Sequence, residues 1–507
     1  MDAHVVILGG LRKSRLVASR QRHGLMAAGA LAIAVCFAAC GEEDPVIPSP
    51  EPEPPKTLLV VPDDYGTIKA ALLEADAGDT VFVRGGTYAE TGLVIAAGVR
   101  LTGQAGAAVV IDATEITSPH NVLFLDGGTD ASQPSIVTNL TIKAGSGTAM
   151  WIDSGVGTVI RNCRILDSHN GILLYSTLRM SSISVDSCIF ERNGAPLDHS
   201  GSEGPNAFVM TGLFRCTLLD CTFRDNVGDQ AGALRCDARL GTLEILRCMF
   251  VGNRARGMGG AIEVPHADFV RVRDCVFDGN SSSAGGAIGM RGADYAVIED
   301  SEFKNNAATQ GGAVYLASTH PTEVQNCRFS GNIADYGGAM NIRGGEYTVS
   351  NCFFIGNGGA DDDPGVPSST GGAIHAGPST LLTVRRSTFS GNWAYGLPFD
   401  SEGGACLYFS GPIGSLDLEG CILSFSPVGT PLAGTPPIMR IRTNDAYGNA
   451  SGDWVGLLEP FAGVDENISA DPLFCSIADD DLRLQFGSAC IGFPNLVIMG
   501  AGEAGCD

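Results

Sequence analysis

Two loops that follow one another along the chain hold the residue types best suited to gripping a ligand. Asp361, Asp362 and Asp363 stand between Asn357 and Gly371, and Trp393, Tyr395, Phe399, Asp400 and Glu402 stand between Asn392 and Gly403. Aromatic rings stack on the apolar faces of sugars, and carboxylates bind Ca²⁺ through oxygen. Trp393, Tyr395 and Phe399 are therefore candidate ligand contacts, and Asp361, Asp362, Asp363 and Asp400 are candidate Ca²⁺ ligands. No cofactor is required by any motif. The plainer alternative is a pair of solvated loops whose aromatics cover the core.

A second chemistry-bearing zone is basic. Residues 215–273 hold nine arginines against seven acids, in a chain of formal charge −24. A locally positive strip of this kind attracts an anionic polysaccharide. If the chain is an enzyme, Arg254, Arg256 and Arg273 are the candidates to abstract a proton beside a uronate, helped by a cation such as Ca²⁺. The alternative is mixed charge on exposed faces. Gly-His-Gly, Gly-x-Ser-x-Gly, phosphate-loop and dinucleotide motifs are absent. The histidines do not cluster, and His375 merely follows one Gly-Gly-Ala-Ile segment. The sixteen cysteines include no Cys-x-x-Cys, which argues against a metal set.

A repeat must position these residues. Phe-x-x-Asn recurs at Phe190, Phe223, Phe250, Phe277, Phe303, Phe329, Phe354 and Phe389, at spacings of 25 to 35 residues. Between these stands Gly-Gly-Ala-(Ile/Val/Met), as at Gly259, Gly285, Gly311, Gly337 and Gly371. Self-similarity at such a period marks a solenoid. Two residues before most of the phenylalanines is a Cys, replaced by Ser301 and Ser387 in two repeats, so a small residue and the Phe share one inward strand face. An earlier apolar column (Val185, Leu218, Ile245, Val272, Ile298, Val324, Val349, Val384) has the wrong parity for one straight strand. A bend is needed, and the intervening Asp220, Asp274, Asp300, Asn326 or Asn351 tolerates the left-handed conformation of a corner. The repeated Asn suits a second corner and Gly-Gly a third, where chains approach closely. Three strands and three corners make one coil of a parallel β-helix. Apolar residues at 68, 71, 72 and 75 predict a capping helix over Tyr65–Ala75.

Composition agrees. The 507 residues are 44% hydrophobic and 17% charged, with 68 Gly and 25 Pro. That is too apolar for disorder and too glycine-rich for a helical bundle. The acidic balance argues against a nucleic-acid partner.

The N-terminus reads as an address. Five basic residues precede an apolar run ending Phe37-Ala-Ala-Cys40, and a proline-rich acidic stretch follows to Lys56. The ending resembles the lipobox of bacterial lipoproteins, with Phe37 in place of the usual Leu. That resemblance implies lipidation of Cys40, a membrane anchor and, with Gly41 next, the outer membrane. Loss of residues 1–39 takes the charge from −24 to −28.

The cap from Val61 to Glu90 resembles that of pectin-lyase-like right-handed β-helices, and the paired repeat motifs resemble polymorphic outer-membrane proteins over residues 190–405. Those proteins usually end in a membrane barrel, and no series of alternating strands is evident after 421. The closing stretch from Asn467, with Ser488-Ala-Cys490, is similar to that of other secreted bacterial β-helices. Within it a Cys475–Cys490 disulfide is favoured, with Cys506 unassigned.

The expectation is an all-β right-handed parallel β-helix solenoid with an N-terminal capping helix. Its parts are a signal peptide (1–39), a tether (40–56), the β-helix with its cap (57–421) and irregular C-terminal coils with a closing segment (422–507). It is expected to be a monomeric, lipid-anchored envelope protein that binds polysaccharide or a surface protein without catalysis. The enzyme alternative is of pectate-lyase type on acidic polysaccharide. A structural envelope protein is a third reading.

Overall fold

The computed structural model describes residues 57–507 apart from 117–119, 127–131, 154–156, 195–206, 239–240, 319, 360–368, 397–402, 412, 436–437, 493–497 and 507, and apart from the side chains of 177–180 and 213. The expected signal peptide, Cys40 and the expected tether lie outside the described residues. Among those described, no helix is long and apolar enough to cross a membrane.

Each coil contributes a strand to three parallel sheets. The first sheet carries Thr242–Leu246, Thr322–Gln325, Glu346–Ser350 and Thr380–Arg385. The second carries the Phe-bearing strands, among them Met249–Val251, Val276–Asp278, Glu302–Lys304 and Arg328–Ser330. The third follows Gly-Gly and includes Leu234–Asp237, Ile288–Met290, Val314–Leu316, Met340–Ile342, Ile374–Ala376 and Leu407–Ser410. Neighbouring coils pair in register, so Phe223, Phe250, Phe277 and Phe303 stand one above another. Their rings stack with centroids 4.5 to 5.0 Å apart from Phe190 to Phe389.

The corners form where the bend was needed. Asn162, Asp220, Asp274, Asp300, Asn326 and Asn351 all have φ between 50° and 53°. At the second corner the left-handed residue is the one before the repeated Asn: Asp225, Gly252, Gly279, Asn305, Gly331 or Gly356. The Asn itself turns inward. Asn253 Nδ2 donates to Phe223 O at 3.0 Å and to Asn280 Oδ1 at 2.9 Å, and the pattern recurs at Asn280, Asn306 and Asn332. The amide ladder thus satisfies buried backbone groups that the corner frees from the sheets. At the third corner an added Cβ on Gly286 would lie 2.0 Å from Gly312 O, so only glycine fits.

The cap is a seven-residue helix, Ile68–Glu74, begun by Thr67, whose Oγ1 accepts from Ala70 N at 3.1 Å. The Glu90 carboxylate accepts from Ile68 N and Lys69 N, both at 2.9 Å. The helix buries Ile68, Ala71 and Leu72 over the first coil.

The repeated cysteines are buried free thiols, as core behaviour predicts. The Cys275 thiol, for example, donates to Arg273 O at 3.1 Å. Burial pushes the Cys421 thiol up to about 12.

Regular pairing continues past 421, through Ile422–Ser424, Leu432–Thr435, Ile438–Arg442 and Asp445–Tyr447. The expected Cys475–Cys490 bridge does not form. Cys475 is bonded to Cys506, with Cα atoms 5.6 Å apart. The antiparallel pair Phe474–Ser476 and Asp481–Leu484 folds the chain back, and Gly505 N donates to Leu484 O at 2.8 Å, bringing Cys506 alongside. Cys490 instead points inward and donates to Asp445 Oδ2 at 3.4 Å. Asp445 is fully buried, and burial raises its carboxyl to about 6.

Candidate functional site

The middle residue of each third-sheet strand points out of the solenoid, because side chains alternate along a strand. In-register pairing lines these residues into one column: Val94, Phe124, Trp151, Leu173, Val209 and Arg235, then Glu263, Gly289, Tyr315, Asn341, His375 and Tyr408. Successive members stand roughly 4.8 Å apart, one coil rise. The column changes character along the axis.

Its N-terminal part is an apolar platform. Phe124 and Trp151 are half-buried, and the Trp151 ring stacks on Tyr175 with centroids 5.1 Å apart. An ion pair follows, with Arg235 Nε donating to Glu263 Oε2 at 3.2 Å. Desolvation raises the Glu263 carboxyl, against the pull of Arg235.

The C-terminal part is polar yet buried, because the residue before Gly-Gly leans over the next coil. Met258 covers Gly289, where an added Cβ would meet its Cγ at 2.1 Å. Tyr336 likewise lies against His375. The His375 ring sits between Tyr336 and Tyr408, with both centroids 5.5 Å away. Burial, and then the positive charge of Arg343, push its pKa down to about 4, so the imidazole is neutral at neutral pH. Asn341, directly below in register, donates from Nδ2 to Tyr336 O at 3.3 Å. Asn341 Oδ1, His375 Nδ1 and Thr370 Oγ1 are buried and have no hydrogen-bond partner among the described residues. Arg343 is exposed at the edge of this group. A neutral imidazole, an amide, two phenols and a guanidinium can together recognise a hydroxylated, anionic ligand.

The residues singled out from the sequence are distributed differently. Trp393 is half-buried and lays its indole over Gly358 of the preceding coil, where an added Cβ would lie 2.0 Å from the ring. It serves at least as a cover. Tyr395 is half-buried, its amide donating to Ser369 Oγ at 3.0 Å. Phe399, Asp361, Asp362, Asp363, Asp400 and Glu402 lie outside the described residues. Among those described, no three His, Cys, Asp or Glu side chains are placed to hold a metal ion.

Arg254, Arg256 and Arg273 are all exposed and do not converge. Arg254 and Arg256 follow the Asn corner, whereas Arg273 ends a first-sheet strand. Arg256 is 3.8 Å from Asp229, and Arg273 is 3.3 Å from Asp274 and 3.5 Å from Asp300. Arg224, Arg235, Arg247 and Arg271 are ion-paired as well, so the basic strip is largely neutralised. Sequence reasoning misses Trp151, Asn341, Arg343 and Tyr408, and names His375 only as an unclustered histidine. Their signal is place: most follow the Gly-Gly-Ala-hydrophobic segment by one or three residues.

Comparison with known proteins agrees with this architecture. The model of the right-handed β-helix region family matches residues 94–235 and 241–411. The chain belongs to that family. Similar solved structures include a mannuronic acid specific polysaccharide family 6 lyase from human gut microbiota, 12% identical, covering 78% of this chain and 81% of that one, TM-score 0.31. Another is the alginate lyase AlyF-OU02 in complex with G6, 12% identical, covering 88% and 94%, TM-score 0.33. A third is the A-module of the Azotobacter vinelandii mannuronan C-5 epimerase AlgE4, 14% identical, covering 74% and 91%, TM-score 0.26. At these scores the likeness carries no argument, and the family match alone speaks to the fold. No curated protein matches the chain.

Proposed function

We propose that this is an exported, lipid-anchored protein of a bacterial envelope whose β-helix binds polysaccharide without turning it over. The observation that carries the reading is the outer column of the third sheet. It presents an apolar, aromatic platform at Phe124, Trp151 and Tyr175, and a polar group around His375, along one line parallel to the solenoid axis. A polymer chain laid along that line meets one coil after another. The N-terminal segment ending at Cys40, with its proline-rich tether, supports anchoring at a membrane surface.

A second reading is turnover of an acidic polysaccharide. It draws on His375, Tyr336 and Tyr408, whose imidazole and phenols are groups of acid–base chemistry. Arg254 and Arg273 stand on different parts of the coil and Arg273 is ion-paired, which counts against a pectate-lyase-type arrangement built on them.

The two readings separate in one experiment. The protein is incubated with pectic, alginate-like and neutral polysaccharides, with and without Ca²⁺, and the products are analysed by mass spectrometry. Retention of a polymer without new ends, lost in Trp151→Ala, is the expected result. Unsaturated oligosaccharides would replace the binding reading with a lyase.

A further inference from the structure

We infer that the closing segment, residues 474–492 and 498–506, is a pH-sensitive latch on the outer face of the second sheet. It lies shut while the Asp445 carboxyl holds its proton and opens more readily once that proton is lost.

The segment folds back along the stack. Arg328, Phe353, Thr388, Ile422 and Asp445 form one outward column of the second sheet, in register from coil to coil. Arg328 Nη2 donates to Asp480 O at 3.1 Å, Ala501 N to Thr388 Oγ1 at 3.0 Å and Gly500 N to Gly420 O at 2.7 Å. What lies between is an apolar cluster of Ile422, Phe474, Leu482, Leu484, Cys490 and Met499, separate from the main core of the solenoid. A cluster of its own can open while the coils stay packed. The Cys475–Cys506 disulfide ties the start of the segment to its end, so the two move together. Lifting it bares Phe353, Ile355 and Ile422.

Asp445 sits where this segment meets the last coil, fully buried. Its Oδ1 accepts from Ala470 N at 3.0 Å and its Oδ2 from the Cys490 thiol at 3.4 Å. Burial pushes that thiol up, so it stays a neutral donor. A buried carboxylate is costly when charged unless a cation pairs with it. Among the described residues no Lys, Arg or His stands within ion-pair distance of Asp445. The charges that face it are acids, Asp453 from the loop after Asp445–Tyr447 and Asp471 from the stretch before the segment. Residues 486–492 and 498–502 of the segment carry no charged side chain, and neither do Ile422 and Thr388 beside it in the column. Burial therefore raises the carboxyl from 3.8 to about 6. The open form, with Asp445 in water, binds fewer protons than the closed form across that window. Opening gains as pH rises through it, and the gain is complete above about 6.

Hydrogen–deuterium exchange of the full chain between pH 4 and 7, corrected for the intrinsic pH dependence of exchange, reads the latch directly. Protection of residues 498–501 is expected to fall about a hundredfold and to level off above about pH 6. The solenoid strands Val276–Asp278 and Glu302–Lys304 are expected not to follow. Asp445→Asn cannot ionise and is expected to hold the segment's protection constant with pH. Constant protection in the wild type, or an equal fall in the solenoid strands, overturns the latch. A fall that survives in Asp445→Asn overturns Asp445 as its trigger. If that variant leaves the segment unprotected at every pH, Asp471→Asn decides. With one facing acid gone Asp445 holds its proton less tightly, and the fall is expected to shrink about threefold. An unchanged fall in Asp471→Asn would then overturn the assignment.

Discussion

Inside the solenoid the same side chains recur coil after coil; on the outer face of the third sheet no two neighbouring coils carry the same residue from Phe124 to Tyr408. Eight phenylalanines from Phe190 to Phe389 stack almost face to face, with an asparagine ladder beside them. The outer column runs from rings to an ion pair, then to an amide and an imidazole. Both columns obey the same in-register pairing. Repetition inside reflects packing, where each coil must fit its neighbours. Variation outside is where a ligand can be read.

The sharpest way to break this contrast is to empty one rung of the interior. Phe303→Ala removes a fully buried ring held between Phe277 and Phe329, with centroids 4.7 and 4.8 Å away. A loss of about 3–5 kcal/mol in denaturant unfolding is expected. A loss below about 1 kcal/mol would mean that the stack relaxes around the hole.

A second test sets an outer residue against an inner one through pH. His375 is lowered from 6.5 to about 4, so between those values the unfolded chain binds more protons and stability rises with pH. Asp445 is raised from 3.8 to about 6, so across that window the unfolded chain binds fewer protons and stability falls as pH rises. Each effect is about 3 kcal/mol, and in the wild type the two largely cancel. His375→Phe is expected to leave stability falling from pH 4 to 6, and Asp445→Asn to leave it rising. Parallel pH profiles for the two variants would refute the assignment.

The smallest effect belongs to the exposed arginines. Arg273→Ala, losing half-exposed pairs with Asp274 and Asp300, should change stability by less than about 1 kcal/mol and leave polymer retention unchanged. A large loss of retention would return the basic zone to consideration.

These contrasts also account for what could be read from the chain. Phe-x-x-Asn and Gly-Gly-Ala announce the coil, and Asp220 or Asn326 announces a corner, because each answers a local demand that every coil repeats. The capping helix is legible from the spacing of Ile68, Ala71 and Leu72. The outer group was not legible for the opposite reason. Asn341, His375 and Tyr408 come together only through register, across loops of unequal length, and no two are of one type. Arginines counted along residues 215–273 suggest a strip only if neighbours in sequence are neighbours in space. A three-sided coil sends Arg254 and Arg273 to different faces. Cys506 found Cys475 through a late antiparallel turn that nothing in the repeat foretells.

The register has one further consequence, for how such a chain changes length. Ser281 and Ala307 occupy equivalent places one coil apart, each following a buried Asn. Excising residues 281–306 would join Asn280 to Ala307, the same Asn–Ala junction that Asn306 already makes. The stack would close over the cut, shorter by one coil, about 4.8 Å. Descent can therefore lengthen or trim this molecule in whole coils, sliding one half of the outer column past the other while leaving the core's grammar intact.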